Sequence, residues 1–400
     1  MEHTRQTNLA QVANILGVNI HKKMLQDILK DIEQKICSNS FSWIATVNPE
    51  ILLKAHKNKT YRKLLNTASL SVADGAGVML AALFMGEALP ARIPGVDLVY
   101  SICNIAEKNS KSVFLLGGNQ INNQKSIEEL HKKYPRLSLT GTAHIDHKNK
   151  QSVKTIIKQL SQNPPDVVLV ALGAPHQEIV IYKHLSKIHG ISLAMGIGGS
   201  LDMISGALPR APKVLRIIGI EWLWRLLLQP TRARRIFNAT IVFPLKTIAY
   251  WLRIQTMYRT NILSLILDKD KNILIAERVD SPGHWQMPQG GKDKGESLKN
   301  TFFREMQEEL GSNTFSVHRI VKNFYKYTWP KWHKLNSGYK GQKQSLVIAT
   351  ATDPNALNPD KREFSQLAWV SRAEILNRVH AVRKEATKKA LEYLNTSNVL

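Results

Sequence analysis

Residues 290–312 read GGKDKGESLKNTFFREMQEELGS, and this stretch decides the fold of the carboxyl-terminal part of the chain. Glycines at its start permit a tight loop. The apolar residues that follow recur every four positions and predict one buried helical stripe; they are Leu298, Phe302, Met306 and Leu310. Glu305, Glu308 and Glu309 fall at positions i, i+3 and i+4, so a helix places their carboxylates within one arc of its opposite side.

These three carboxylates have two interpretations. Like charges at this spacing repel one another and mildly destabilise a helix. Hard divalent cations such as Mg²⁺ prefer oxygen ligands and are commonly shared between carboxylates and substrate phosphates, so a bound cation would relieve the repulsion. The alternative is a solvated acidic face on a surface helix.

The spacing of the charged residues favours the cation site. Five residues separate Gly290 from Glu296, and seven separate Glu296 from Arg304-Glu305. An apolar residue and any residue then precede Glu308-Glu309, and one further residue precedes Gly311. This pattern resembles the Nudix box, the signature of hydrolases that cleave a nucleoside diphosphate linked to another moiety. Every charged position is filled, and the one departure is Ser312, where the family usually has an apolar residue.

The resemblance implies roles for these residues. Glu305, Glu308 and Glu309 would be ligands of Mg²⁺ or Mn²⁺, and one of them, or a metal-bound water that they orient, would serve as the base. Arg304 and Glu296 would hold the loop and the helix together. Gly290 and Gly311 would shape the two ends of the motif.

The flanking sequence, over residues 257–395, resembles one branch of the Nudix superfamily, the bacterial RNA pyrophosphohydrolases and diadenosine polyphosphate hydrolases. The motifs that carry this likeness are YRTN (258–261), WQMPQGG (285–291), GQKQ (341–344) and EFSQLAWV (363–370). Glu363 would be a further carboxylate near the metal. The expected phosphate contacts are Arg259, Arg278, Lys340 and Lys343, and Tyr339 is a candidate for stacking on a base.

Towards the amino terminus, short apolar runs alternate with longer amphipathic ones. The predicted strands are residues 42–48, 69–74, 112–118, 137–143, 166–173 and 192–199, and the predicted helices are 24–36, 49–65, 95–108, 122–133 and 152–162. Nearly continuous apolar strands that alternate with helices are typical of a parallel, Rossmann-like α/β sheet covered on both faces. In such sheets ligands bind at the carboxyl ends of the strands, where this sequence has its polar and glycine-rich segments.

The order of these segments resembles the WecG/TagA/CpsF glycosyltransferases over residues 14–245. The matching segments are ILGV (15–18), TVNPE (46–50), ADGAGV (73–78), RIPGVDL (92–98), FLLGG (114–118), GAPHQE (173–178), GIGGSLDMISG (196–206) and the run from Arg210 to Arg235. The one departure noted is His176, where the family commonly has lysine; a turn residue that fills space is an equally good interpretation of this histidine.

This second resemblance implies transfer of a sugar, typically N-acetylmannosamine or a relative, from a UDP donor to a polyprenyl-diphosphate-linked acceptor in cell-envelope polysaccharide synthesis. The anomeric centre would be inverted, and no metal would be needed. Asp74 would be the general base that deprotonates the acceptor hydroxyl. Thr46 and Asn48 would line the same pocket, and Arg92 and Gln177 would contact donor or acceptor.

The most basic part of the chain lies between the two halves. Residues 205–260 contain ten Lys or Arg residues and a single acid, Glu221, interleaved with six Trp, Tyr and Phe residues between 222 and 251. Basic and aromatic residues together on amphipathic helices favour docking at an anionic membrane interface, the use that the glycosyltransferase family makes of this appendage. A helix with a solvated basic face and a nucleic-acid surface are the alternatives.

Composition is consistent with this interpretation. The chain has 400 residues, of which 43% are hydrophobic, and its net charge of +24 predicts anionic partners: nucleotides, nucleic acid or an acidic membrane. Cys37 and Cys103 lack metal-type spacing and suit a reducing cytosol. The polar first residues are unlike a signal peptide, and no apolar run reaches the roughly 18 residues of a membrane span. We expect a cytoplasmic protein that is at most peripheral to the inner face of the cytoplasmic membrane; an oligomer is left open.

Together these patterns predict a bifunctional α/β enzyme in three parts. Residues 1–206 would form the glycosyltransferase domain, 207–256 a basic amphipathic appendage, and 257–400 a Nudix α/β/α sandwich. In one alternative only the Nudix hydrolase is active and the amino-terminal half is a degenerate membrane- or UDP-binding module. In another, the protein processes RNA, and the basic segment between the two halves binds it.

Overall fold

The computed structural model describes residues 11–142 and 150–397. Residues 1–10, which carry the argument against a signal peptide, lie outside this part, as does the end of the strand predicted at 137–143. Two compact units are present: one contains the chain up to Trp251 together with residues 335–338, and the other contains residues 252–334 and 339–400.

The amino-terminal unit contains a small hairpin and a six-stranded sheet. The strands are β1 Val12–Ile15, β2 Val18–His21, β3 Ser42–Val47, β4 Leu70–Ala73, β5 Val113–Gly117, β6 Leu139–Thr142, β7 Val167–Ala171 and β8 Leu193–Gly196. The helices are α1 Leu25–Ile36, α2 Pro49–Lys57, α3 Lys59–Leu65, α4 Ala76–Phe84, α5 Gly95–Lys108, α6 Gln120–Lys133, α7 Lys150–Gln162, α8 His176–Lys183 and α9 Ser200–Ile204. Strands β3 to β8 lie in the order β4-β3-β8-β7-β5-β6, and each paired neighbour is parallel.

The parallel sheet confirms the Rossmann-like fold. Every residue of β3, β4, β5, β7 and β8 is buried, which requires cover on both faces. Val47 pairs with Ala73, and Val170 pairs with Gly196, so the loops after these strands meet at one edge of the sheet. That edge is where the polar segments of the sequence lie.

The predicted helices and strands were confirmed, but one predicted helix is divided in two and some elements were not predicted. The helix predicted over 49–65 is two helices, because Asn58 leaves the helical conformation and its side chain accepts a hydrogen bond from Tyr61 N. Hairpin β1–β2 and helices α4 and α8 were not predicted. Helix α4 reads AGVMLAALF and is apolar all round, so it lacks the periodicity from which an amphipathic helix is recognised.

The appendage that follows is a series of short helices. They are α10 Lys213–Ile217, α11 Glu221–Leu228, α12 Ala233–Phe237 and α13 Phe243–Thr256, with a π-helical turn at Asn238–Val242. None of the residues of α10, α11 and α12 is fully buried.

The carboxyl-terminal unit is a mixed sheet between helices. Its strands are β9 Tyr258–Leu267, β10 Ile273–Arg278, β11 Trp285–Gln286, β12 Gln289–Gly291, β13 Phe315–Thr328, β14 Gly341–Ala351 and β15 Phe364–Val370. Its helices are α14 Leu298–Leu310, the first part of α15 Lys331–Ser337, α16 Ile375–Arg378 and α17 Ala381–Thr396. The order is β11-β10-β9-β14-β13, with β12 paired to β9 and β15 paired to β10. Strands β9 and β14 are parallel.

The side chains of β9 alternate between two cores. Ile262 and Ile266 pack in one core with Phe302 and Met306 of α14. Leu263 and Leu265 pack in the other core with the buried residues of α17. These two cores give the α/β/α sandwich that was predicted. Strands β9 and β10 follow one another in the chain, but they pair only at Leu267 and Ile273, because β10 pairs along its length with β15.

Candidate active sites

Asp74 directly follows β4 at the carboxyl edge of the parallel sheet. Its backbone N–H donates to Val47 O over 2.7 Å, which fixes it beside the end of β3. Its carboxylate accepts from the backbone N–H of Gly95 at the start of α5. A Cβ at position 95 would lie 3.8 Å from Asp74 Oδ2 and 3.4 Å from Thr46 Cγ2, so Gly95 lies directly beside both side chains.

Burial raises the pKa of Asp74 from 3.8 to about 6. Arg225 and Arg92 lower this pKa and Glu221 raises it, so these three charges also act on Asp74. Two of them, Glu221 and Arg225, belong to α11 of the appendage and form an ion pair of 3.1 Å. The predicted base is therefore held in a site that is poor in water, and the appendage contributes charges to it.

Thr46 and Gln177 are buried and hold the loop after β8. Thr46 Oγ1 donates to Gly196 O over 2.9 Å, and Gln177 Oε1 accepts from Gly198 N over 3.0 Å. Gln177 is only 2% exposed, and its amide nitrogen donates to Glu178 Oε1 over 2.8 Å. Both the oxygen and the nitrogen of the Gln177 amide are thus hydrogen-bonded within the protein, so this side chain positions the loop after β8.

Asn48 caps the helix that follows β3. Its Oδ1 accepts from Ile51 N over 3.0 Å at the start of α2. Arg92 is half-buried in the segment before α5. The structure thus brings Thr46, Asn48, Asp74 and Arg92 to the same edge of the sheet.

Two arginines of the appendage pair with carboxylates at this edge. Arg235 Nη2 lies 2.7 Å from Glu50 Oε2 at the start of α2. Arg232 Nη2 lies 3.6 Å from Asp202 Oδ2 on α9. Arg234 between them is exposed. The basic run 232–235 therefore fastens the appendage with two of its arginines and presents the third to solvent.

In the carboxyl-terminal unit the Nudix-like segment forms β12, a loop and α14. Ser297 caps α14 by accepting from Asn300 N over 3.0 Å. Gly311 ends the helix in the left-handed conformation, at φ 65°. Gly290 has no space for a side chain, since a Cβ would lie 2.0 Å from Cδ of Glu305. The glycines of the motif are therefore required by a turn and by a close approach.

Arg304 ties the loop to the helix. It contacts Glu296 at 3.0 Å, Glu305 at 2.9 Å, Glu308 at 3.1 Å and the carbonyl of Gly291 at 2.9 Å. Hydrogen bonds from Arg304 lower the pKa of Glu296 to about 2. Glu296 also accepts from Thr301 Oγ1 over 2.9 Å, so it belongs to the loop scaffold.

Glu309 is the most perturbed of the carboxylates. It is 7% exposed, and its Oε2 has no hydrogen-bond partner. Burial raises its pKa to about 9, helped by the charges of Glu305 and Glu363. Burial also raises the pKa of Glu305. These carboxylates repel one another in a site where solvent does not compensate them.

This donor set suits a hard divalent cation. All the groups are carboxylate oxygens, one of them is orphaned, and the excess negative charge is what Mg²⁺ or Mn²⁺ would neutralise. Within residues 11–142 and 150–397, no three His, Cys, Asp or Glu side chains are already arranged to hold one metal ion. The reason is visible at Arg304, which draws both Glu305 and Glu308 towards its guanidinium.

The residues predicted to contact the phosphates or the base each have defined neighbours in the structure. The guanidinium of Arg259 fills the space beside Gly291, where a Cβ would meet its Nη2 at 2.2 Å. Arg278 is paired with Asp280 at 2.7 Å, and its charge lowers the pKa of Glu309. Lys343 pairs with Thr260 across β9, on the face covered by α14. One face of the Tyr339 ring is covered by Arg253 at 3.9 Å, and Lys340 lies over Tyr258 at 5.7 Å.

Comparison with known families gives two matches that together span most of the chain. Residues 13–256 match the model of the glycosyl transferase WecG/TagA/CpsF family. The chain belongs to this glycosyltransferase family. Residues 257–391 match the NUDIX domain. Both resemblances of the sequence are thereby confirmed.

The curated relatives match the glycosyltransferase domain. An N-acetylglucosaminyldiphosphoundecaprenol N-acetyl-beta-D-mannosaminyltransferase of Staphylococcus aureus (strain MRSA252) is 34% identical over 239 residues, which are 59% of this chain and 92% of the relative. Among solved structures, an Ap4A hydrolase complex from C. elegans is 17% identical and matches 34% of this chain and 98% of its own, with a TM-score of 0.28. Dihydroneopterin triphosphate pyrophosphohydrolase of E. coli is 16% identical over 34% and 97%, with a TM-score of 0.27.

Sequence reasoning missed three residues of the glycosyltransferase site. Glu178 is 2% exposed and fixes the Gln177 amide. Lys54 donates to Ala174 O over 2.6 Å and lies 3.4 Å from Glu50, which binds Arg235. Glu50 and Glu178 belong to the motifs NPE and HQE. The contact of Lys54 with Ala174 and that of Glu50 with Arg235 join residues 120 and 185 positions apart, so they could not be recognised from a local motif.

The Glu178–Gln177 contact gives a testable prediction for the loop after β8. Glu178→Leu removes the acceptor that orients the Gln177 amide, so the Gly198 N–H loses protection. The loss of one such hydrogen bond is worth about 1 kcal/mol, and amide exchange at Gly198 should quicken roughly fivefold. Hydrogen exchange followed by mass spectrometry of peptides that cover 196–200 measures this.

Glu178→Gln is the matched control, because it keeps the accepting oxygen and should exchange at the original rate. Equal exchange in the leucine and glutamine variants would contradict a positioning role for Glu178.

Proposed function

We propose that the chain is a bifunctional enzyme with one active site in each half. Residues 1–206 and the appendage 207–256 would transfer an N-acetylhexosamine, N-acetylmannosamine or a relative, from a UDP-sugar to a polyprenyl-diphosphate-linked acceptor in cell-envelope polysaccharide synthesis. Residues 257–400 would hydrolyse nucleoside polyphosphates. The observation that carries the first activity is a half-buried Asp74 at the carboxyl edge of a parallel sheet, in a chain of this family.

In the transferase reaction Asp74 accepts the proton of the acceptor hydroxyl. The hydroxyl oxygen bonds to the anomeric carbon while the bond from that carbon to the UDP oxygen breaks, and UDP leaves with the electron pair. A carboxylate with a pKa near 6 is a stronger base than an ordinary aspartate and is still ionised at neutral pH. Arg92 and Arg225, whose charges act on Asp74, would bind the phosphates of donor or acceptor.

Thr46 and Gln177 support this reaction by holding the loop 196–199, through Gly196 O and Gly198 N. Asn48 supports it by capping α2 beside the site. No metal enters this part of the proposal, because cationic side chains meet the need for charge. The alternative, a degenerate module that only binds UDP or membrane, is disfavoured by the raised pKa of Asp74, since a module that only binds does not need a strong base.

The first prediction from this site concerns Asp74. Asp74→Asn should keep the fold and lower turnover roughly 10²–10⁴-fold, the loss typical of a missing general base. In the unmodified enzyme, turnover should fall about tenfold per pH unit below pH 6, because protonation disables the base and its pKa is about 6. The measurement is the rate of transfer from UDP-N-acetylhexosamines to a lipid-diphosphate acceptor between pH 4.5 and 8.

A rate that stays level down to pH 4.5 would contradict the role of burial, because an ordinary aspartate would still be ionised there. Undiminished transfer by Asp74→Asn would exclude this residue as the base. Absence of transfer by the unmodified protein from any such donor would favour the degenerate module.

The observation that carries the second activity is the orphaned Glu309 oxygen within a cluster of mutually repelling carboxylates. We propose that Glu305, Glu308, Glu309 and Glu363 hold Mg²⁺ or Mn²⁺. When bound, such a cation neutralises the phosphate chain and lowers the pKa of a coordinated water. Arg304 keeps loop and helix in register, and one of the glutamates, or a water that they orient, accepts the proton of the nucleophile.

The substrate class proposed for this domain is dinucleoside polyphosphates or the 5′-triphosphate ends of RNA. Arg259 beside Gly291, Arg278 near Glu309 and Lys343 on the α14 face are cations that can bind a phosphate chain next to the carboxylates. WQMPQGG and GYKGQKQ also favour these substrates over nucleotide sugars, through the likeness to one branch of the superfamily. Tyr339 remains the proposed residue for stacking on a base.

The second prediction concerns Glu309. Glu309→Gln keeps the size of the side chain and removes its charge, so Mg²⁺ affinity and the rate of hydrolysis should fall together. Mg²⁺ at about 100 times its Kd should stabilise the unmodified domain by about 2.7 kcal/mol and leave the variant little changed. Thermal unfolding with and without Mg²⁺ reports binding, and release of diphosphate or nucleotide reports activity.

Glu385→Gln is the matched control, because Glu385 lies on α17 and forms an ion pair with Lys389 of the same helix. A Glu309→Gln variant that keeps full activity and the full Mg²⁺ response would show that the carboxylates only form an acidic surface. Selective cleavage of UDP-sugars would overturn the substrate class.

We further propose that the protein acts at the inner face of the cytoplasmic membrane, as a peripheral protein. Among the described residues, no helix combines the length and the apolar character that crossing a bilayer requires. Helices α10 to α12 leave Ile217, Trp222, Leu227 and Phe237 exposed beside the basic residues of the appendage. Such a surface suits an anionic interface.

The third prediction concerns Arg234, the arginine of the run 232–235 that faces solvent. Binding to vesicles should rise with anionic lipid and fall with salt, and Arg234→Gln should weaken it about fivefold, since one basic residue near such a surface is worth about 1 kcal/mol. Lys158→Gln, an exposed lysine on α7, is the control and should bind as before. Binding that ignores lipid charge, or RNA bound far more tightly than vesicles at physiological salt, would contradict the membrane proposal and favour the RNA alternative.

A further inference from the structure

Helix α4 presents an apolar face to solvent next to the transferase site. It has no charged or hydrogen-bonding side chain, and Val78, Ala81 and Ala82 bury one side of it. The other side exposes Leu80 by 67%, Leu83 by 66% and Phe84 by 47%. These three residues are spaced i, i+3 and i+4, so they form one continuous patch.

A surface helix ordinarily carries polar residues on its outer side. Contiguous exposed apolar side chains mark a surface that is covered by a partner or a lipid phase. The sequence of α4 therefore indicates that its outer face does not remain in water during function.

Both ends of α4 contact the basic appendage. At its start, Ala76 packs against Gly219 between α10 and α11, where a Cβ on the glycine would lie 2.7 Å from that of Ala76. At its end, the ring of Phe84 lies 5.4 Å from the ring of Trp251 on α13. The exposed patch of α4 is thus continuous with the exposed apolar residues of the appendage, which include Ile217, Ile218 and Ile248.

The charge of the chain favours a lipid surface over a second copy as the partner. The appendage on either side of α4 is strongly basic, and the chain as a whole has a net charge of +24. Two such surfaces would repel one another, whereas an anionic surface is attracted. An anionic bilayer offers both the negative charge and an apolar phase for leucine and phenylalanine.

The position of α4 also suits an acceptor that is anchored in lipid. Helix α4 begins two residues after Asp74, and Leu80 and Leu83 follow its first residue by about 6 and 10 Å along the helix axis. The headgroup layer on each side of a bilayer is roughly 5–8 Å thick. A helix that inserts a lateral patch lies roughly in the plane of the interface, so Asp74, which precedes α4 by two residues, would stay close to the headgroup layer, where the diphosphate of a lipid-linked acceptor lies.

We infer that α4 is a membrane-inserting element of the glycosyltransferase domain itself: Leu80, Leu83 and Phe84 enter the bilayer while the basic appendage binds anionic headgroups. The inference rests on the proposed use of a lipid-linked acceptor. It adds that the helix which follows the proposed general base two residues later is also the element that docks on the lipid phase.

The test compares the variant Leu80→Gln/Leu83→Gln with Ile121→Gln in the full chain. Ile121 on α6 is also 67% exposed, so it controls for the loss of a surface aliphatic side chain. Binding to vesicles of phosphatidylglycerol and phosphatidylcholine should fall at least about tenfold in the α4 variant and stay unchanged in the Ile121 variant.

A second measurement does not depend on those substitutions. An environment-sensitive fluorophore on Leu83→Cys, in a chain with Cys37→Ser to remove the exposed cysteine, should shift to the blue on vesicles and be quenched by lipids brominated on their acyl chains. The same label on Ile121→Cys should do neither.

The outcomes separate this inference from the membrane proposal. Vesicle binding that is weakened by Arg234→Gln but not by the α4 variant, with an unquenched label at position 83, would overturn the inference alone. A change of oligomeric state in sedimentation, without a change in vesicle binding, would do the same and assign α4 to a second copy. Failure of the unmodified protein to bind any vesicle would overturn both.

Discussion

The burial of carboxylates without full compensation is the constraint on which both halves of this chain depend. A carboxylate removed from water must be paired, hydrogen-bonded or protonated. Asp74 has one backbone donor and competing charges around it, and Glu309 has an oxygen with no partner at all. Each fold has to hold such a group in place with rigid elements, namely the parallel sheet around Asp74 and the capped helix α14 around Glu309.

The two halves manage this constraint differently. In the Nudix domain a single guanidinium, that of Arg304, binds three carboxylates and one backbone carbonyl, so loop and helix form one unit around an excess of negative charge. In the glycosyltransferase domain the compensating charges come from the appendage, through Arg225 near Asp74 and Arg235 on Glu50. The first arrangement leaves the carboxylates of the proposed cation site in excess, and the second makes the site depend on an element that also faces solvent.

Much of the fold could be predicted from sequence because its signals are local. The apolar strands of the parallel sheet and the four-residue spacing in α14 each lie within one segment, and the glycines of the Nudix motif mark a turn and a close approach. Helix α4 was missed because an all-apolar segment has no period to detect. The role of Glu178 was missed because its meaning depends on Gln177 and on a loop some twenty residues away.

The residues near the site could be predicted from sequence, but their hydrogen bonds and ion pairs could not. Thr46 was expected to line a pocket and Gln177 to contact donor or acceptor, and in the structure both hold the loop after β8. The run 232–235 read as uniformly basic, yet two of its arginines are committed to carboxylates. Sequence records which charges are present, whereas the pairing of those charges depends on the tertiary fold.

The central claim is that one chain contains two independent active sites. The most direct measurement assays both reactions in the same preparation of the full chain, for the unmodified protein, Asp74→Asn and Glu309→Gln. The account predicts that the first variant loses sugar transfer and keeps Mg²⁺-dependent hydrolysis of diadenosine tetraphosphate or triphosphorylated RNA, while the second does the reverse. Loss of both reactions in either folded variant, or only one reaction in the unmodified chain, would contradict it.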